Sequence, residues 1–149
     1  MKIKYIPYKI SNWYYDRKWD IITFFQRGKR GWGDRDTWSF DGYLAGVIAE
    51  GLEHLKETKC GTPISMFPED SKFESTDEIS NRARAKWDIT LDIMIKAFKL
   101  TKDIAYQDIW PYHEDGYKSD NIRMLTQEEE AIIKEGFKLF AENFHSFWD

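Results

Sequence analysis

One cysteine, Cys60, stands in the whole chain, so no intrachain disulfide can form and a reducing compartment is expected. No stretch approaches the ~18 consecutive apolar residues of a membrane-spanning helix. The opening residues 1–8 lack the apolar core of a signal peptide, so the expected location is the cytoplasm. Histidine is scarce: His54, His113 and His145 lie far apart with no HxxxH or Cys–His spacing, so neither zinc nor any other cofactor is expected. The dinucleotide fingerprint GxGxxG, the phosphate loop GxxxxGK[ST] and the Gly-x-Ser-x-Gly nucleophile elbow are all missing. With no nucleophile beside a recognisable base, the reading leans away from an enzyme without excluding one.

Aromatic side chains, by contrast, are abundant. Ten Phe, seven Trp and eight Tyr make up 17% of 149 residues, and the apolar fraction is 42%. That composition can offset the ordering entropy of a folded chain, and the length suits one domain spanning 1–149. The net charge of −4 conceals an asymmetry. Residues 1–36 hold nine Lys/Arg against four Asp/Glu, a net of +5, while the remainder carries −9. An acidic body speaks against a nucleic-acid-coating protein, whereas the basic N-terminal third suits a small anionic ligand.

Along the chain, residues 1–8 alternate as a short extended segment would. From Ser11 or Asn12 the apolar period becomes helical, and Gly28 is a suitable helix end with Arg27, Lys29 and Arg30 near the last carbonyls. Asp34 or Asp36 can cap a second helix carrying Phe40, Leu44, Val47, Ile48, Leu52 and Leu55. Gly46 and Gly51 within it suggest close approach by another helix, which makes it the expected central one. Residues 58–76 read as a loop. The Ser75–Glu78 spacing of a capping box then opens a third helix to about Asp103, with Ile79, Ala83, Trp87, Leu91, Met94 and Phe98 on one face. A second irregular stretch, 106–125, precedes a capping box at Thr126–Glu129 and a last helix carrying Ile133, Phe137, Phe140 and Phe144. The expected fold is an all-α bundle of about four main helices, with an irregular aromatic N-terminal segment and two long loops.

Three blocks resemble the signature of a small family of hypothetical proteins encoded by tailed phages. The first runs from Arg27-Gly28 through Gly31-Trp32, Asp34, Asp36, Trp38-Ser39-Phe40-Asp41 and Tyr43-Leu44-Ala45. The others are Trp87-Asp88…Leu91-Asp92…Met94-Ile95…Ala97-Phe98 and Glu135-Gly136-Phe137…Leu139-Phe140…Phe144…Trp148-Asp149. The resemblance spans most of 24–149 and implies a phage origin, hence the cytoplasm of a host cell. It implies no particular activity. Phage accessory proteins of this size are often inhibitors, sponges for immune signals or small nucleotide enzymes.

The stretch Arg27–Arg35 gathers four cations and three glycines before a helix N-terminus. Backbone N–H groups and the helix dipole favour phosphate there, Arg can bind it bidentately, and a Trp can stack on a base. The candidate ligand-binding set is Arg27, Lys29, Arg30, Trp32, Arg35, Trp38 and Tyr43. The competing reading is a helix stop, a tight turn and a solvated basic surface. Asp36 and Asp41 lie near the expected core boundary, where a buried carboxylate needs a partner such as Arg27 or Arg30. Glu50 and Glu53, with Asp88 and Asp92, have the one-turn spacing that would hold Mg²⁺ between two helices, as in all-α nucleotide pyrophosphatases, although D-x-x-x-D departs from the E-x-x-D of that pattern. Trp13, Tyr14, Tyr15 and Trp19 cover more than one helical face, which suggests a subunit interface and a closed homo-oligomer. Three functions follow as expectations: sequestration of a small phosphorylated or nucleotide ligand without catalysis, inhibition of a host protein by binding it, and metal-dependent nucleotide hydrolysis.

Overall fold

The computed structural model describes residues 8–69, 76–106, 109–110 and 123–147, the side chains of 8–16, 109 and 110 excepted. The chain is an all-α protein with four α-helices among these residues: α1 (Tyr8–Arg30), α2 (Phe40–Thr58), α3 (Asp77–Tyr106) and α4 (Gln127–Asn143). Short 3-10 turns cover Asp34–Ser39, Ile64–Met66 and Phe144–Ser146. Within the expected irregular stretch after α3, Ile109 and Trp110 (β1) pair in parallel with Arg123 and Met124 (β2). None of the described helices is long and apolar enough to cross a membrane. Two compact units emerge, one up to Phe40 and one from Asp41.

In the first unit, α1 begins at Tyr8, ahead of the expected Ser11 or Asn12, and the extended segment expected before it lies outside the described residues. It also runs past Gly28, which sits inside the helix with open space where a Cβ would project. The true stop is Gly31, whose φ of +83° is the left-handed conformation of a helix C-terminal glycine. Its N–H donates to the Arg27 carbonyl at 2.8 Å. Arg27, Lys29 and Arg30 thus occupy the last turn, where cations complement the dipole. The second helix likewise starts later than the Asp34/Asp36 cap suggests, because those residues form the 3-10 turn.

In the second unit the central helix is α3, not α2. Its buried residues include Ala83, Trp87, Leu91, Met94, Ala97 and Phe98, which cover a wide arc rather than one stripe. Such breadth is needed when one helix packs against two others. Against α2 the packing is antiparallel, with Gly42 facing Ala105 and Lys59 facing Asp88. Against α4 it is antiparallel again, with Gly136 on Ala97 and Phe147 stacked on Trp87 at 6.2 Å. Ala45, Ala49 and Leu52 complete the core from α2, and Met66 from the turn after it. Phe98 meets Phe137 and Phe140 edge-on at 5.0 and 4.9 Å, although Phe137 and Phe144 keep much of their surface in solvent.

The helix starts obey local rules. Thr126 Oγ1 accepts from Glu129 N–H at 3.2 Å while Glu129 accepts from Thr126 N–H at 3.0 Å, the reciprocal capping box expected there. That backbone N–H, and then Arg123, hold the Glu129 carboxyl below the ordinary range. At α3 the described cap is Thr76, whose Oγ1 accepts from Ile79 N–H at 3.4 Å, while Ser75 lies outside the described residues.

The glycines of α2 do not all mark close approach. Gly46 lies under the Lys102 side chain, with the nearest atom 3.4 Å from a would-be Cβ, and Gly51 is exposed with nothing within 4 Å. Gly51→Ala therefore gains helix propensity with no clash and should stabilise the protein by roughly 0.5–1 kcal/mol. A thermal melt that fails to rise would show that Gly51 is needed for something other than packing.

Candidate functional site

The basic glycine-rich stretch is a folded-back turn. After Gly31 the chain reverses, and the 3-10 turn Asp34–Ser39 lies on the face of α1 formed by Thr23, Gln26, Arg27 and Arg30, residues at i, i+3, i+4 and i+7. Gly33 makes this approach possible, since a Cβ there would stand 2.6 Å from Thr23 Cγ2. Thr23 is itself buried, its hydroxyl without a hydrogen-bond partner.

Most of the cations are engaged by carboxylates. Arg27 binds Asp36 bidentately, Nε to Oδ2 at 2.9 Å and a terminal nitrogen to Oδ1 at 2.5 Å. Gly33 N–H adds a third bond to Asp36 at 2.7 Å. The Asp36 side chain is 7% exposed and that of Arg27 48%, so the pair is buried on its acidic side only. The Arg27 bonds hold the Asp36 carboxyl below the usual carboxylate range, with burial opposing and Gly33 assisting. Arg30 pairs with Asp34, donates from Nε to the Trp32 carbonyl at 3.0 Å, and lays its guanidinium 3.8 Å from the Trp32 ring centroid. Asp34 also exchanges two hydrogen bonds with Gln26, at 2.6 and 2.8 Å. Arg30, then Gln26, lower its carboxyl. Arg35 stands 3.6 Å from Asp20.

Of the seven candidate residues, then, three arginines already have anionic partners. A phosphate arriving here would have to displace carboxylates from them. Trp32 is half-buried against Phe40, while Lys29 is exposed and Trp38 is 92% exposed. Tyr43 belongs to the first turn of α2, in the second unit. The expected buried carboxylate is found at Asp36; Asp41 is exposed, because the α2 face that packs inward is that of Gly42, Ala45 and Ala49.

The four carboxylates considered for Mg²⁺ each face a lysine across the α2–α3 seam. Glu50 pairs with Lys102 at 3.6 Å, Glu53 with Lys99, Asp92 with Lys56 at 2.6 Å and Asp88 with Lys59 at 2.6 Å. The pattern alternates: α2 is acidic then basic along its length, and α3 is its antiparallel complement. Each partly exposed pair is worth only ~0–1 kcal/mol, but together they penalise a slipped register. Glu53 and Asp92 share one surface groove, with Lys56 and Lys99 also in its wall. Among the described residues no three His, Cys, Asp or Glu are grouped to hold a metal ion. His54 and His145 are exposed, Cys60 is exposed with its thiol donating to the Thr58 carbonyl at 3.8 Å, and His113 lies outside the described residues.

Two features went unread in the sequence. One is an apolar stripe on α1: Ile21, Phe24 and Phe25 are 59%, 72% and 69% exposed. At i, i+3 and i+4 they share a face pointing away from the face that carries the 3-10 turn, bracketed by Lys18 and Lys29. The helical period that includes Phe25 looks like core spacing in the sequence, and only the position of the turn shows which side stays bare. The aromatics Trp13, Tyr14 and Tyr15, expected at an interface, lie where side chains are not described; Trp19 is half-buried. The other feature is a concavity beneath the loop after α2, walled by residues from 55 to 65 and floored by Trp87. Comparison with family models, curated proteins and solved structures finds no match to the chain.

Proposed function

We propose that this protein is a non-enzymatic binding protein that inserts the Ile21–Phe24–Phe25 stripe of α1 into an apolar groove of another protein. One observation carries the reading: three large apolar side chains at helical anchor spacing, each more than half exposed. Contiguous exposed apolar residues mark interaction surfaces, and i, i+3, i+4 anchors are how amphipathic helices recognise grooves. Lys18 and Lys29 beside the stripe suit a groove with an acidic rim, which would speed association more than tighten it. On the phage origin suggested by the sequence blocks, the partner is a host factor that the protein inhibits.

A photo-crosslinking residue at position 25 tests this, with the same residue at exposed position 57 as control. A discrete adduct with one host protein is expected from position 25 alone. Phe24→Ser together with Phe25→Ser should weaken capture at least about thirtyfold, since central apolar anchors each cost ~2 kcal/mol or more when truncated. Equal adducts from both positions, or capture indifferent to the double substitution, would sink the reading.

A second reading, sequestration of a small phosphorylated ligand, draws on three features of this stretch, the exposed Trp38, the exposed Lys29 and the Arg30–Trp32 stack. Incubation with linear, cyclic and ADP-ribose-type nucleotides, filtration, and heat release of the retained fraction decide it. A compound that vanishes from the filtrate and returns intact supports sequestration, a new product supports hydrolysis, and passage of every compound counts against both.

A further inference from the structure

The concavity in the second unit belongs to neither of those readings. Its volume is about 530 Å³, which falls in the ~300–1,000 Å³ range of small-molecule sites. Leu55, Pro63 and Ile64 form apolar walls, and Trp87, 2% exposed and stacked on Phe147, forms the floor. The 3-10 turn Ile64–Met66 fixes the outer wall: Met66 is anchored in the core, while Ile64 stands as a lip 68% exposed. Among the described residues, Lys59 is the one charged residue of the lining, and hydroxyls come from Thr62, Ser65 and Ser146.

The state of Lys59 selects the ligand. Its side chain is only 12% exposed; the ammonium lies 2.6 Å from Asp88 Oδ1 and donates to the Lys56 carbonyl at 3.0 Å. The Asp88 contact is an ion pair without hydrogen-bond alignment, for that oxygen is buried with no hydrogen-bond partner. The charge is thus neutralised in place, while an ammonium has three N–H donors to direct. An anionic ligand would meet Asp88 at close range, and a cation would meet Lys59. A neutral acceptor on a flat ring satisfies the donor and covers the apolar walls formed by Leu55, Pro63 and Ile64. We propose that this cavity is a binding site for a small, neutral, planar heteroaromatic molecule that accepts a hydrogen bond from Lys59.

Quinoline is the probe, neutral at pH 7.5 with one ring-nitrogen acceptor; naphthalene is the same shape without the acceptor, and benzoate is the anionic comparator. Binding is read from the methyl resonance of Ile64 in isotope-labelled full-length protein. Saturable movement of that signal is expected with quinoline, at an affinity about tenfold above that of naphthalene and benzoate, the scale of one hydrogen bond. Lys59→Met with Asp88→Asn removes the donor without leaving a lone charge, and should level quinoline with naphthalene. Ser65→Trp, at an exposed position of the wall, should fill the space and abolish the shift while circular dichroism stays unchanged. No movement up to the solubility of quinoline overturns the proposal, as does movement undiminished by Ser65→Trp. Benzoate binding more tightly than quinoline overturns the ligand class.

Discussion

Gly136→Ala should destabilise the three-helix unit by about 2 kcal/mol, even though alanine is the better helix former. A Cβ at this position would stand 2.1 Å from Ala97 Cβ and 3.2 Å from the Ile93 carbonyl oxygen. Carbon atoms make contact at ~3.5–4.0 Å, so α3 and α4 would have to part by about 1.5 Å along that line. Neither obstacle can swing aside: one is a methyl on a fully buried residue and the other is backbone. Separation would loosen Phe98 from Phe137 and Phe140, which meet across the same seam. Overpacking of this kind costs ~1–3 kcal/mol, against a propensity gain of ~1 kcal/mol that cannot cancel the larger values. The melting temperature should fall by about 6–9 °C. Ala97→Gly in the same chain moves the methyl from one helix to the other and should restore most of the loss. A Gly136→Ala protein that melts as the parent does, or a double variant worse than the single one, would show that the helices are not in the contact described.

Gly136 also shows what a sequence leaves hidden. The three helices after residue 40 are legible because each carries its own signals: apolar residues at three- and four-residue steps, Thr126 with Glu129, and proline and glycine in the loop after Thr58. Which helix lies in the middle is not legible, since it depends on how many faces are buried and the apolar period reports mainly one. Of the interior glycines of α2 that look like contact points, Gly46 does lie beneath Lys102 of α3 while Gly51 faces solvent, and the tightest contacts fall at Gly42, near its start, and at Gly136 on α4. A glycine's spacing does not distinguish a solvent-facing position from one beneath another helix. The candidate site divides along the same line. That Arg27 or Arg30 would hold a buried carboxylate could be read from the charges near the core boundary, and Arg27 with Asp36, rather than Asp41, fills the roles because the 3-10 turn folds back before α2 begins. The pairing of Arg30 with Asp34, Arg35 with Asp20, and all four helical carboxylates with lysines could not be read, because it depends on contacts between separate elements. A cluster of arginines in sequence therefore resembled an open anion site until their partners were placed.

The Arg27–Asp36 pair gives the first unit a pH dependence that can be read locally. Replacing Asp36 by Ala strands the Gly33 N–H and leaves Arg27 without the partner that accepts two of its hydrogen bonds. A fully buried pair broken on one side costs ~3–5 kcal/mol, but Arg27 is half in water, so about 2–3 kcal/mol is expected at pH 7. The Asp36 carboxyl is lowered in the folded chain relative to an unfolded one, whose value is ~3.9. Its contribution is accordingly complete above about pH 4 and disappears as the pH falls through the folded value, when the carboxylate takes up a proton and the pair dissolves. Amide exchange at Gly31 and Gly33 reads this locally, whatever the second unit does. Both amides should exchange at least about thirtyfold faster in Asp36→Ala than in the parent at pH 7, and the ratio should shrink on acidification below pH 4. A ratio that stays constant from pH 7 to pH 3 would mean that the 3-10 turn is held by the Gln26–Asp34 and Arg30–Asp34 contacts instead. In that event Arg27 would be free to release Asp36 at little cost, and the objection to an anion site at this turn would lose much of its force.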